Sequence, residues 1–166
     1  AAELQQRVDA VMETYGPLLV EEYISGREFT VMLAAPAVAG EGLRCFRPVE
    51  YIFPEGYQFK TYALKTAELH PGANVPVLDE ALCKRLQDAA SSIFTARLDF
   101  RMNAEGRLYF LEINFTCSVF YTNGYEGSAD YILQHDGTGQ AAFLRHIIQE
   151  GLLRHRLQQK LYVMKG

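Results

Sequence analysis

Three consecutive pieces of the chain constrain its fold more than any others. They are Arg97-Leu98-Asp99-Phe100-Arg101, the turn Asn103-Ala104-Glu105-Gly106, and Leu108-Tyr109-Phe110-Leu111-Glu112-Ile113-Asn114. Polar and apolar residues alternate on both sides of a glycine-containing turn, the pattern of an antiparallel hairpin with one wet face and one buried face. Strand side chains alternate with period two, so Arg97, Asp99, Glu112 and Asn114 project from one side. Arg97 is expected roughly opposite Glu112, with Asp99 one diagonal step away. Leu98, Phe100, Leu111 and Ile113 are expected on the other side, in a core. The polar side then gathers two carboxylates and an amide oxygen beside an arginine. Hard oxygen donors of this kind suit Mg²⁺, which takes one or two carboxylates and leaves its other positions to water and phosphate oxygens. A surface hairpin whose charges pair with each other fits the same spacing.

The rest of the chain bounds what such a hairpin can belong to. With 166 residues, 49% of them hydrophobic, the chain is one domain or one lobe of a larger protein and can bury a core without disulfides. A formal net charge of −4 gives no basic footprint for nucleic acid. No apolar run is long enough to span a bilayer, and Ala1-Ala2-Glu3-Leu4-Gln5-Gln6 has the form of neither a signal nor a transit peptide. Cys45, Cys83 and Cys117 are scattered and odd in number, which reads as free thiols in a reducing compartment and so as a cytoplasmic protein. No cysteine or histidine spacing suits zinc, and neither GxxxxGK[ST] nor GxGxxG occurs.

Periodicity predicts a short amphipathic helix over 3–14, stopped by Gly16-Pro17. Leu18 to Ile24 and Glu28 to Leu33 read as two strands joined at Ser25-Gly26 into a hairpin. Phe46 to Phe53 reads as a third strand, at an edge or bulged because of Pro48. Residues 54–77 and 115–128 are irregular and rich in aromatics, which points to function rather than disorder. Helices are expected over 80–94, N-capped by Asp79, and over 139–159 with Phe143, Leu144, Ile147, Ile148, Leu152 and Leu153 as the apolar face. The sum is an α+β lobe, an antiparallel sheet covered by helices, filling 1–166 as a single unit.

These residues resemble the ATP-grasp superfamily, in the D-alanine–D-alanine ligase-like branch. Arg97-Leu98-Asp99 and Leu111-Glu112-Ile113-Asn114 are similar to its metal-binding end. Val20-Glu21-Glu22-Tyr23-Ile24-Ser25-Gly26-Arg27-Glu28-Phe29-Thr30-Val31 resembles its hinge, and Phe59-Lys60-Thr61-Tyr62-Ala63-Leu64-Lys65 its F-x-x-Y-x-x-K segment. The three motifs stand in the family's order across residues 18 to 114. The resemblance implies the C-terminal subdomain of an ATP-grasp enzyme and an ATP-dependent carboxylate–amine ligase acting through an acyl phosphate. It implies Asp99, Glu112 and Asn114 as holders of Mg²⁺ (Mn²⁺ in its place), Arg97 on the reacting intermediate, and Lys65 near the transferred phosphate with Lys60 as second candidate. It implies Glu21, Glu22 and Ile24 along the adenine, Glu28 on the ribose, and Phe59 and Leu111 on the adenine's flanks.

The family pattern is not complete. Its N-terminal domain and its small lobe with a Gly/Ser-rich phosphate loop have no counterpart here, so the chain is expected to be the C-terminal part of such an enzyme and incompetent alone. Glycines usual before R-x-D are replaced by Ser92-Ile93-Phe94-Thr95-Ala96, tight for a helix-to-strand connection. Phe115-Thr116-Cys117-Ser118-Val119-Phe120-Tyr121 stands where the D-alanine ligases carry a Pro-Gly loop, so a true D-alanine–D-alanine ligase is not expected. Tyr121 and Ser128 are candidates for the substrate wall, Ser128 as a helix N-cap facing a carboxylate. Substrates are expected to be a small carboxylate and an amine; a homo-oligomer is left open. The alternative reading is a non-catalytic nucleotide-binding or interaction module of the same fold.

Overall fold

The structure, a computed structural model, describes residues 2–66, 71–93, 95–116 and 118–163, the side chains of 65, 66, 71, 162 and 163 apart. In chain order the elements are α1 (Ala2–Tyr15), β1 (Arg27–Ala34), β2 (Arg44–Cys45), β3 (Val49–Tyr51), α2 (Tyr62–Thr66) and β4 (Asn74–Pro76). They continue with α3 (Glu80–Ser91), β5 (Arg97–Met102), β6 (Leu108–Asn114), α4 (Ser128–His135) and α5 (Gly139–Val163). The sheet order is β4-β3-β1-β5-β6, antiparallel throughout, with β2 paired to the far end of β1.

β1 is the central strand because it can be buried on both faces. Phe29, Val31 and Leu33 meet Leu82, Cys83, Leu86 and Ala90 of α3 and Leu98, Phe100 and Met102 of β5. On the opposite face Met32 joins Phe46, Val49, Ala129, Ile132, Leu133 and Phe143 under α4 and the start of α5. α4 and α5 cover only part of that second face, and the uncovered remainder is where the polar residues of β1, β5 and β6 point. Asp79 caps α3, its Oδ1 accepting from the N–H groups of Ala81 at 2.9 Å and Leu82 at 3.1 Å. Gly26, at φ +137°, enters β1 with its Cα against the end of β5; a Cβ there would lie 2.1 Å from the Met102 carbonyl oxygen.

Several local expectations are corrected. Residues 18–24 form no strand, because both edges of β1 are already taken by β3 and β5. Pro48 interrupts the third strand as expected, splitting β2 from β3, yet β3 is internal, between β4 and β1. The break falls where Phe46 N–H reaches the Met32 carbonyl and the Pro48 carbonyl accepts from Val77, so no ladder bond needs a proline N–H. The irregular 54–77 stretch contains α2 and β4, the latter added as an edge strand. α5 extends to Val163, but of its expected apolar face only Phe143 is buried; Leu144, Ile147, Ile148 and Leu152 are each more than 40% exposed. The helix outruns the sheet it packs on.

Candidate active site

The register of the β5–β6 hairpin differs by two residues from the sequence expectation at the acids. Asp99 lies directly opposite Glu112, and Arg97 opposite Asn114. Met102, Arg101 and Phe100 pair in turn with Leu108, Tyr109 and Phe110, and a bulge then absorbs Leu111 before Glu112 meets Asp99. The bulge changes the parity of β6. Without it Glu112 would fall opposite Leu98 and share the face of the core. Leu111, as the extra residue, therefore lines a cleft instead of joining the core. Leu108 and Ile113 are the β6 residues that pack on the core.

Asp99 sits on the floor of this cleft, 9% exposed. Thr30, beside it on β1, donates its hydroxyl to Oδ1 at 2.7 Å, and Arg97 reaches Oδ2 at 3.2 Å. Burial nevertheless holds the Asp99 carboxyl above its ordinary range, against the pull of Arg97, the Thr30 hydroxyl and Lys60, with Glu112 pushing the same way as burial. The Arg97 guanidinium also lies 3.7 Å from Glu112, and its buried Nε has no hydrogen-bond partner among the described residues. Asn114 donates to Glu112 at 3.2 Å. The acids thus face each other with one arginine beside both of them.

The cleft has a volume of about 920 Å³. It gathers Glu21, Glu22 and Ile24 of the extended run before β1, with Phe59 and Leu111 as its apolar walls. Phe59 meets Tyr23 edge-on, ring centres 6.3 Å apart. One row of paired residues crosses all five strands of its floor: Asn74, Tyr51, Glu28, Arg101 and Tyr109. Glu28 is 2.9 Å from Lys60 and 3.4 Å from Arg101, and Lys60 also lies over the Tyr51 ring at 4.4 Å. Burial pushes the Tyr51 phenol up, Glu28 adding to it.

Tyr121 and Ser128 line the same cleft from the α4 side. Ser128 is the first residue of α4 and not its cap. Gly127 holds the cap position, and the buried Asp130 carboxylate closes the turn, accepting from Gly127 N–H at 3.2 Å and Phe120 N–H at 2.7 Å. Phe120 packs on Phe143, at 6.3 Å, as loop packing requires. Asn114 does not line the cleft beyond its bond to Glu112. The Lys65 side chain and Cys117 lie outside the described residues, although the Lys65 backbone is placed in α2. Sequence reasoning missed Thr30, Arg101 and Asn74. The last is 9% exposed, lines the cleft, and its Oδ1 has no partner among the described residues. Period-two alternation along β1 and β5 carried the signal for the first two, since Thr30 and Arg101 share parity with Glu28 and Asp99.

Among the described residues no three His, Cys, Asp or Glu side chains converge as a closed metal cage. Two opposed carboxylates with an adjacent amide are instead the partial, oxygen-only donor set that Mg²⁺ shares with phosphate. The residues fit that ion.

Comparison with known proteins gives the family and the fold. Residues 1–123 match the family model described as "D-ala D-ala ligase C-terminus". The chain belongs to this family. It has the fold of the family's ATP-grasp C-terminal lobe. A D-alanine–D-alanine ligase of Herminiimonas arsenicoxydans is 32% identical over 122 residues, which are 67% of this chain and 34% of that protein. One from Aquifex aeolicus (strain VF5) is 33% identical over 104 residues, 58% of this chain and 32% of that protein. The chain thus spans about a third of the length of these ligases. The crystal structure of D-alanyl-alanine synthetase A from Vibrio cholerae O1 biovar eltor (strain N16961) superposes with a TM-score of 0.62 at 24% identity, covering 92% of this chain and 46% of that one. That likeness is one of fold. No helix among the described residues is long and apolar enough to cross a membrane.

Proposed function

We propose that the chain is the C-terminal catalytic lobe of an ATP-dependent carboxylate–amine ligase. The observation that carries this reading is the direct opposition of Asp99 and Glu112 beside Arg97, at one end of a cleft whose other end is the Glu21–Ile24 run. Phosphoryl transfer needs positioning and charge neutralisation more than covalent chemistry from the protein. Asp99 and Glu112, with Asn114 completing the set, would hold Mg²⁺ or Mn²⁺; when bound, the ion supplies positive charge to the phosphates. Arg97 stabilises the charge that develops as the carboxylate is phosphorylated and the amine then displaces phosphate. Lys65 neutralises the transferred phosphate. Glu21, Glu22 and Ile24 receive the edge of the adenine between Phe59 and Leu111, and Glu28 holds the ribose.

Tyr121 and Ser128 form the substrate wall, and the first-turn N–H groups of α4 favour a carboxylate there. The substrates are then an amino acid or similar carboxylate and an amine. Residues 115–121 differ from the loop of D-alanine ligases, which supports an acceptor other than D-alanine. Since the chain spans a third of its relatives' length, the phosphate loop is expected in a further lobe of the same enzyme. A cytoplasmic setting follows from the need for ATP and from thiols left free.

The test is ATP turnover by the complete protein bearing Asp99→Asn or Glu112→Gln. Loss of one charged ligand in such a site is expected to reduce turnover by roughly a hundredfold or more. Calorimetric titration with an ATP analogue should show binding that needs both Mg²⁺ and Glu112. Turnover untouched by either substitution would end the ligase reading; Mg²⁺-dependent binding without turnover would favour a non-catalytic nucleotide module.

A further inference from the structure

Arg101 is a buried cation that the chemistry above does not use. Only 4% of its side chain is exposed. One guanidinium nitrogen donates to the Ile24 carbonyl at 2.6 Å, and the other donates to the Gln58 carbonyl and lies 3.4 Å from Glu28 Oε2. The group is sandwiched against the Tyr23 ring at 4.9 Å and the Phe53 ring at 5.5 Å. Its acceptors lie far from Arg101 in sequence: in the extended run before β1, the loop between β3 and α2, and β1 itself. Neither the run nor the loop lies in a strand, so no sheet ladder fixes them to the floor of the cleft. Tyr23 ties them to each other, its hydroxyl donating to the same Gln58 carbonyl at 2.8 Å. Glu28 extends the cluster, since its other oxygen is 2.9 Å from Lys60 at the end of that loop. A planar guanidinium with five donors in fixed directions can hold several acceptors at once in a way an ammonium cannot.

We propose that Arg101 is the positioning residue that assembles the nucleoside end of the cleft, fixing the Glu21–Ile24 run, the Gln58–Lys60 loop and Glu28 as one wall. The role rests on the nucleotide reading above. Arg101 acts through the groups it holds, so removing it loosens the base and ribose contacts and leaves the phosphate end, built on Asp99 and Glu112, in place. Affinity for the nucleoside and for the nucleotide then falls by a common factor.

The experiment pairs hydrogen exchange with binding, using the complete protein as wild type, Arg101→Met and Arg101→Lys. Adenosine alone and ATP with Mg²⁺ are the probes. In Arg101→Met the amides of 22–24 and 57–60 should exchange at least tenfold faster while those of β6 stay unchanged. Adenosine and ATP should each bind at least tenfold more weakly, by matching factors, with the KM for ATP rising more than kcat falls. Arg101→Lys, able to reach fewer acceptors, should recover part of both effects and guards against a methionine variant that merely folds poorly. Unchanged exchange at 22–24 and 57–60 overturns the positioning role. Faster exchange with undiminished adenosine affinity overturns its bearing on the nucleoside, and a loss confined to ATP would place Arg101 at the phosphates instead. Wild-type protein that binds neither probe overturns the nucleotide reading itself, whatever the exchange shows.

Discussion

Replacing Thr30 with valine isolates one hydrogen bond to the buried acid. Valine keeps the shape of threonine and removes the hydroxyl that donates to Asp99 at 2.7 Å. Thr30 is 3% exposed, so the valine methyl would sit where the hydroxyl was, against the Asp99 carboxylate. A hydrogen bond to a charged group contributes about 1.5–3 kcal/mol net, so the folding equilibrium should weaken about ten- to over a hundredfold at neutral pH. Arg97, still at 3.2 Å, keeps the loss from being larger. The effect depends on pH in a direction that burial fixes. The Asp99 carboxyl already sits above its ordinary range in the folded protein, and losing the Thr30 donor lifts it further. A carboxyl raised by folding costs nothing at pH values below its unfolded pKa of about 3.9, and its cost grows as pH rises through the folded value. The gap between wild type and variant should therefore be wider at pH 7 than at pH 4. Urea unfolding at the two pH values, with an unchanged denaturant slope, measures it. A loss below about 0.5 kcal/mol, or one equal at both pH values, would refute the claim that Thr30 supports an ionised Asp99.

Gly26→Ala should destabilise the fold by several kcal/mol, because its Cβ would meet the Met102 carbonyl oxygen at 2.1 Å in a left-handed backbone; a thermal melt within a few degrees of wild type would contradict this. Asp79→Ala should cost about 1 kcal/mol through loss of the α3 cap, read by chemical denaturation, while Asp79→Ser should retain most of it. Cys45, exposed, should react with a maleimide well before Cys83, which is buried and whose thiol burial pushes up; mass spectrometry after brief labelling at pH 7 decides the order, and prompt labelling of Cys83 would show that α3 opens readily.

The sequence made the hairpin, its polar face and the α+β class legible because alternation and turn residues are local signals. The identity of the acids on one face was right for a reason that was partly wrong. A pairing two residues off puts Glu112 on the correct side without the bulge at Leu111 that actually places it there. Bulges leave no reliable mark in composition, so Leu111 was assigned to a core it does not enter as well as, by family likeness, to the cleft. The run at 18–24 has the apolar, β-branched character of a strand, yet strand formation depends on a free edge, which β1 does not offer. The exposed side of α5 shows the same limit: periodicity reports which residues share a face, not whether anything is there to cover it. Arg101 and Asn74 went unnoticed because a single polar residue gains its meaning only from neighbours brought from distant segments.

The extra residue in β6 gives the hairpin slack. Because Leu111 has no partner opposite it, a chain shortened by one residue anywhere from Leu108 to Leu111 can flatten the bulge and still bring Glu112 opposite Asp99. The strand between the turn and the acids can thus lose a residue and keep the acids opposed, giving up only Leu111's place in the cleft wall, whereas a lengthened one has no matching allowance. Sequence drift in this segment should be lopsided, with deletions costing the cleft wall and insertions displacing the acids.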